Sequence, residues 1–342
     1  MTLARAVNGN GRRTITGVGL LLTAIAVFVV APGFLGPRLT DTLATLSRVH
    51  LIWLSAAGAS FTAGFVCSAC AWRCALRMCG GRIGRIDCGA RYGVGSLVNS
   101  LLPGHLGGAV RIALFSRSLA CSKRLWVAGG IPAAIGAVRT ALLALLLIVE
   151  VAIGMLPAWM AFALGGAGCI VVALCVWART SGRGENRLSH LLEIFRALSR
   201  SRSDAARLLG WLACSLAAQL AAVAAVVESL GVRAPVVAAL LIVPALAMTS
   251  FASLLPAGIG VTSGAVAVVL HQRGVDISTA LAAGIALNAI EAAIGLTAGI
   301  ASAFLLAFPT PSARRWTLVT VGAGLCVAVA ATVGTGPLGE LA

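Results

Sequence analysis

Long apolar blocks alternate with short polar clusters along this chain. Several blocks approach or exceed the roughly 20 apolar residues that cross a bilayer as a helix. Seven crossings are expected, at about 15–34, 51–72, 126–153, 157–178, 208–231, 279–308 and 316–334. Two further apolar blocks, near 93–122 and 236–270, are broken by almost the same words, SLLPGHLGG at 100–108 and SLLPAGIGV at 253–261. About eleven apolar residues precede Pro103, too few to span as a helix. Gly104, Gly107 and Gly108 then weaken a continuous helix. The pattern predicts a re-entrant hairpin there, and a second one around Pro256.

Composition agrees with the pattern. Of 342 residues, 59% are hydrophobic and 11% charged, with a mean hydropathy of +1.00. That is too little polar surface to cover a soluble core. The expected fold class is therefore all-α: a polytopic membrane protein of about seven transmembrane helices plus two re-entrant hairpins. It would form a single integral membrane domain over 1–342, divided into an extra first helix at 15–34, repeat one at 51–178, a basic cytoplasmic loop at 179–207 and repeat two at 208–334. Arg12 and Arg13 precede the first apolar block as in a signal peptide, but no small-residue cleavage site follows, which predicts an uncleaved helix.

The net charge of +16 lies in short clusters between spans with few aromatics interleaved, which excludes nucleic-acid binding and marks cytoplasmic loops. With the N-terminus inside and both SLLP segments re-entrant, the loops at 73–92, 111–124, 179–207 and 309–315 all fall inside. Of the 26 Lys and Arg, only Arg38, Arg48, Arg233 and Arg273 then lie outside, and Arg139 lies within a span. A multi-pass protein of the inner (cytoplasmic) cell membrane with its C-terminus outside is expected. Trp53, Trp72, Trp126, Trp159, Trp177, Trp211 and Trp316 all fall near span ends, where indole rings favour the headgroup level. Cys67, Cys70 and Cys74 share one helical face without a nearby histidine, so they read as small packing residues rather than metal ligands.

In this topology the order span, hairpin, span, span occurs twice with opposite orientation, an inverted repeat. Inverted repeats with broken helices place a substrate site near the midplane. The backbone groups freed at a break are tolerated only inside protein or along a polar cavity, and helix N-termini facing it favour anions. The two breaks are therefore expected to form two halves of one site.

Polar residues within apolar sequence supply the candidates. Arg139 and Glu291 sit midway along their spans, with Asn288 one turn before Glu291. The SLLP offset of 153 carries Arg139 to within one residue of Glu291. A lone charge at mid-membrane costs at least ~2.5–3.5 kcal/mol, so the two are expected to pair, directly or through water. Asn99, His105 and Arg111 flank the first break and could receive a phosphate, Arg111 by a bidentate contact. Thr262 and Ser263 follow the second break as hydrogen-bond donors. Gln219 is expected to bond a neighbouring helix, and GLTAG at 295–299 to pack closely against one. Glu150 and Glu228, near outer span ends, are expected to be solvated. No enzyme motif or nucleotide site is present, so neither catalysis nor a cofactor is implied.

NSLLPGHLGGAVR at 99–111 and SLLPAGIGVTSGA at 253–265 resemble the paired signatures of the flippase-like family of lysylphosphatidylglycerol synthetase transmembrane-region proteins. The first matches at Asn99, Pro103, Gly107 and Arg111, and the second at Pro256 and Gly260; the resemblance covers about 50–335. Gly108 stands where the first motif carries glutamate, Thr262 and Ser263 where the second carries an acid, and Val138 where glutamate commonly precedes the family's arginine. The resemblance implies a divergent member without the soluble synthetase domain, moving a lipid with a phosphate-bearing head between leaflets. The expected partners are membrane lipids with anionic headgroups. Two alternatives share the architecture: a small-solute or ion-coupled transporter, and a non-transporting membrane subunit of a lipid- or glycan-modifying enzyme.

Overall fold

The computed structural model describes residues 50–101, 106–119, 124–154, 173, 201–252 and 259–307. The expected spans at 15–34, 157–178 and 316–334, nearly all of the 179–207 loop, and Pro103, His105 and Pro256 lie outside the described residues.

Every described element is a helix. In chain order these are α1 (Leu51–Met78), α2 (Arg85–Leu101), α3 (Leu106–Ser116), α4 (Arg124–Ala152), α5 (Arg202–Ser229), α6 (Pro235–Ala252), α7 (Ile259–Gln272) and α8 (Ile277–Ala307). Among the described residues, α1, α4, α5 and α8 are long and apolar enough to cross a membrane. The order is one long helix, two short and one long, repeated. Two short helices flank each SLLP proline in sequence, α2 and α3 on either side of Pro103 and α6 and α7 on either side of Pro256.

Helix α1 starts at Leu51 as expected, and of the long helices α5 departs furthest from its expected start. Helix α5 begins at Arg202 instead of 208, because Ser201 caps it. The Ser201 hydroxyl accepts from the Asp204 amide at 3.4 Å and donates to Asp204 Oδ2 at 2.9 Å. This satisfies an amide that the first turn leaves unpaired. At its other end α5 stops at Gly231, whose φ of +70° carries the chain out of the helix, as Gly80 at +79° does for α1. Only a residue without a Cβ takes that conformation at little cost.

Helices α1 and α5 are each 28 residues long and pack antiparallel. The amide of His50 at the start of α1 meets the carbonyl of Ser229 at the end of α5, at 3.1 Å. The hydroxyls of Ser68 and Ser215 meet at 2.9 Å, and the Cys74 thiol reaches the Asp204 carbonyl at 3.7 Å. Helix α8 lies against α2 through small residues. A Cβ built on Gly299 would stand 2.5 Å from Leu97 Cβ, and one on Gly295 would stand 2.8 Å from Ser100 Oγ. Backbones can approach this closely only where side chains are missing, as the GLTAG spacing predicts.

An apolar core fills the space between the first pair of short helices and α1, α4 and α5. Trp72 belongs to this core: it is 6% exposed and stacks on Phe115 at 5.0 Å between ring centroids. The expectation of an interface anchor is therefore overturned for Trp72, because α3 folds back over that end of α1. Trp53, Trp126 and Trp211 are exposed, as interfacial indoles are.

Candidate functional site

Three polar side chains from three long helices converge near mid-depth. Arg139 lies midway along α4, Glu291 midway along α8, and Gln219 slightly past the middle of α5. The Arg139 guanidinium donates from Nη2 to Gln219 Oε1 at 2.7 Å. A hydrogen bond to a charged group contributes about 1.5–3 kcal/mol, much of what insertion of the arginine costs. Glu291 is exposed. The expected direct pairing of Arg139 with Glu291 is not formed, because the guanidinium's hydrogen bond goes to Gln219 instead. Arg139 is itself exposed. The arrangement is a cation held from one side, with its remaining donors free for an anionic group.

Asn99 and Arg111 both make contacts that join α2 to α3. Asn99 Oδ1 accepts from the Gly107 amide at 3.1 Å, joining α2 to the first turn of α3. Gly107 is obligatory there, since a Cβ would stand 2.6 Å from Asn99 Oδ1. Arg111 lies over the ring of Tyr92, with its guanidinium carbon 4.1 Å from the centroid, and donates from Nε to the Tyr92 carbonyl at 3.4 Å. Tyr92 in turn meets Phe65 edge-on at 5.0 Å. Arg91 ties α2 to the end of α3 through Leu114 O at 2.7 Å and the Ser118 hydroxyl. Arg111 is thus seated on a rigid aromatic shelf. Its side chain is half-buried there. Tyr92 had no prominence in the apolar pattern; its one signal was being the sole tyrosine of the chain.

In the second pair, Thr262, Ser263 and Asn288 form one cluster. Asn288 Nδ2 donates to Thr262 Oγ1 at 2.7 Å and Ser263 Oγ at 2.8 Å, and the Thr262 hydroxyl donates to Asn288 Oδ1 at 2.9 Å. These bonds clip α7 to α8 where Gly284 lets the backbones touch; a Cβ there would stand 2.7 Å from Ser263 Cα. Gly260 lies at the start of α7. The candidates thus divide into a mid-depth group (Arg139, Gln219, Glu291), a first-hairpin group (Asn99, Gly107, Arg111) and a second-hairpin group (Gly260, Thr262, Ser263, Asn288).

The family profile described as the lysylphosphatidylglycerol synthase TM region matches residues 17–299. The chain belongs to this family. None of the curated proteins matches it. The match takes in both SLLP segments and Arg139, Gln219 and Glu291. At Gly108, where the motif resemblance places a glutamate, a Cβ meets nothing within 4 Å.

One expectation about acids is reversed. Glu150, near the end of α4, is 0% exposed rather than solvated. The helix turns that carboxylate inward, on the side of the buried Leu147 one turn before it.

Proposed function

We propose that this protein moves a lipid with a phosphate-bearing headgroup between leaflets, with the two pairs of short helices re-entering the membrane from opposite sides. The headgroup passes the recess of Arg139, Gln219 and Glu291 while the acyl chains stay in the bilayer. The observation that carries this reading is Arg139: an exposed cation at mid-depth, anchored on one edge by Gln219 and with donors to spare. Phosphate is the planar-fork ligand that guanidinium suits. The family is named for the membrane region of a synthase whose product is a phospholipid, which supports a lipid over a small polar solute. The equal length and antiparallel course of α1 and α5 support the inverted repeat that such a transporter uses.

A second reading, a membrane subunit that anchors a lipid- or glycan-modifying enzyme, is favoured by one feature. Arg77, Arg82, Arg85, Arg117, Arg124 and Arg202 are all exposed at one end of the bundle, a surface suited to an acidic partner or to anionic lipid heads.

Headgroup translocation in proteoliposomes tests the transport reading. Fluorescent phosphatidylglycerol and phosphatidylcholine are incorporated, and an impermeant reductant quenches the outer-leaflet label. Quenching beyond the outer-leaflet share for the anionic lipid, abolished in Arg139→Ala and weakened in Gln219→Leu, is the expected result. Quenching that stops at the outer-leaflet share for every lipid, native lipid extract included, refutes transport and leaves the subunit reading.

A further inference from the structure

Glu150 has no place in the recess, yet it is the most completely buried charged side chain among the described residues. Its exposure is 0%, and neither carboxylate oxygen has a hydrogen-bond partner. It follows Arg139 by eleven residues on α4. At about 100° and 1.5 Å per residue, that returns it to within ~20° of the same helix face, ~16 Å farther along the axis. One face of α4 therefore carries an open cation at mid-depth and a sealed acid three turns on.

The elements packed against α4 are α1, α3, α5 and α6. Helix α6 has no ionisable residue. Helix α3 contributes only Arg111, which is turned onto Tyr92. Beyond mid-depth, α1 offers no charged side chain short of His50 at its cap, and α5 offers Glu228 in its last turn. Burial alone acts on Glu150, and no charge of the described residues bears on it. An ionised carboxylate sealed without a partner is strongly unfavourable, so the occupant of such a site is a proton.

We infer that Glu150 is a proton-binding site, loaded in the conformation described and emptied when that end of α4 opens to water. The inference rests on the transport reading for its purpose: release of the proton to water leaves a hydrated carboxylate, and the re-sealing of the site requires a proton to be taken up again. Headgroup passage along α4 is thereby coupled to a proton gradient.

Two measurements test it on the purified full chain. Infrared spectra in nanodiscs at neutral pH should show the C=O band of a protonated carboxyl, lost in Glu150→Gln and kept in Glu228→Gln. Gln reproduces the shape of the neutral acid, so the variant is expected to fold; the wild type provides a second readout, since the band of a sealed acid shifts slowly on transfer to heavy water. A band unaffected by Glu150→Gln, a band that shifts at once, or a carboxylate band that sodium alone produces at neutral pH overturns the site. In proteoliposomes, an imposed proton gradient should change wild-type headgroup translocation several-fold, whereas the Glu150→Gln rate should be the same with and without it. A wild type that translocates but ignores the gradient overturns the coupling. A wild type that translocates nothing defeats the transport reading and the coupling together, while the infrared result still decides whether Glu150 holds a proton.

Discussion

Replacing Gly299 by alanine should cost about 1–3 kcal/mol of stability, the range for overpacking a close contact. The added Cβ would lie 2.5 Å from Leu97 Cβ, 3.0 Å from Leu97 Cα and 3.1 Å from the Gly93 carbonyl oxygen. Carbon atoms rest at about 3.5–4.0 Å, so the overlap is on the order of an ångström. Two of the three obstacles are backbone, which yields only if α8 separates from α2. Separation would also loosen the neighbouring approaches of Gly93 to Ser302 and Gly295 to Ser100. Alanine recovers up to about 1 kcal/mol of helix propensity, less than the clash costs. Gly136 in α4 is the control, because a Cβ there meets nothing within 4 Å. Gly136→Ala carries the same propensity gain without the clash and should be neutral or slightly stabilising. Reversible unfolding of the purified protein in mixed micelles, with rising sodium dodecyl sulfate, reads both variants against wild type. Equal effects of the two substitutions, or a Gly299→Ala protein as stable as wild type, would refute the close α2–α8 contact.

Tyr92→Leu should lower the midpoint of detergent unfolding by removing the shelf beneath Arg111, a cation–π contact of about 0.5–2 kcal/mol; Arg111→Lys in a wild-type background should be partly as damaging, because the ammonium loses the planar stacking. Asp276 caps α8 and accepts from the Ser278 hydroxyl and, at 3.0 Å, from the Ser278 amide. These bonds, the hydroxyl first, hold its carboxyl below the ordinary range. A depressed value means that its stabilisation is full above the ordinary Asp pKa of about 3.9 and is lost as pH falls through the lowered one. Thermal unfolding in detergent should therefore show Asp276→Asn below wild type at neutral pH, with the gap closing in acid; a gap that is constant with pH would refute the assignment.

Much of the site was legible in one dimension because insertion costs operate on single residues. Arg139 and Glu291 stand out in apolar sequence, and the repeated SLLP words fall between the short helices of each pair. The glycines at 295 and 299 announced a close helix contact by their spacing, since small residues four apart share a face. What could not be read was partnership. Gln219 was visible as a residue that must bond another helix, but only the crossing of α4 and α5 gives it Arg139. Asn99 and Arg111 looked like free ligand groups; folding α3 against α2 gives one to the Gly107 amide and the other to Tyr92.

Hydrophobicity and charge along the chain thus determined that this is a helical membrane protein and which described segments form its long helices. Those properties depend on transfer between water and lipid, which each segment experiences by itself. Tertiary structure decided which polar groups meet and which way each face turns. Trp72 went into the core instead of the interface, and Glu150 went into the interior instead of water, because side chains on helices distant in sequence close around them. Burial of that kind is a property of neighbours, and neighbours are chosen only when the helices pack.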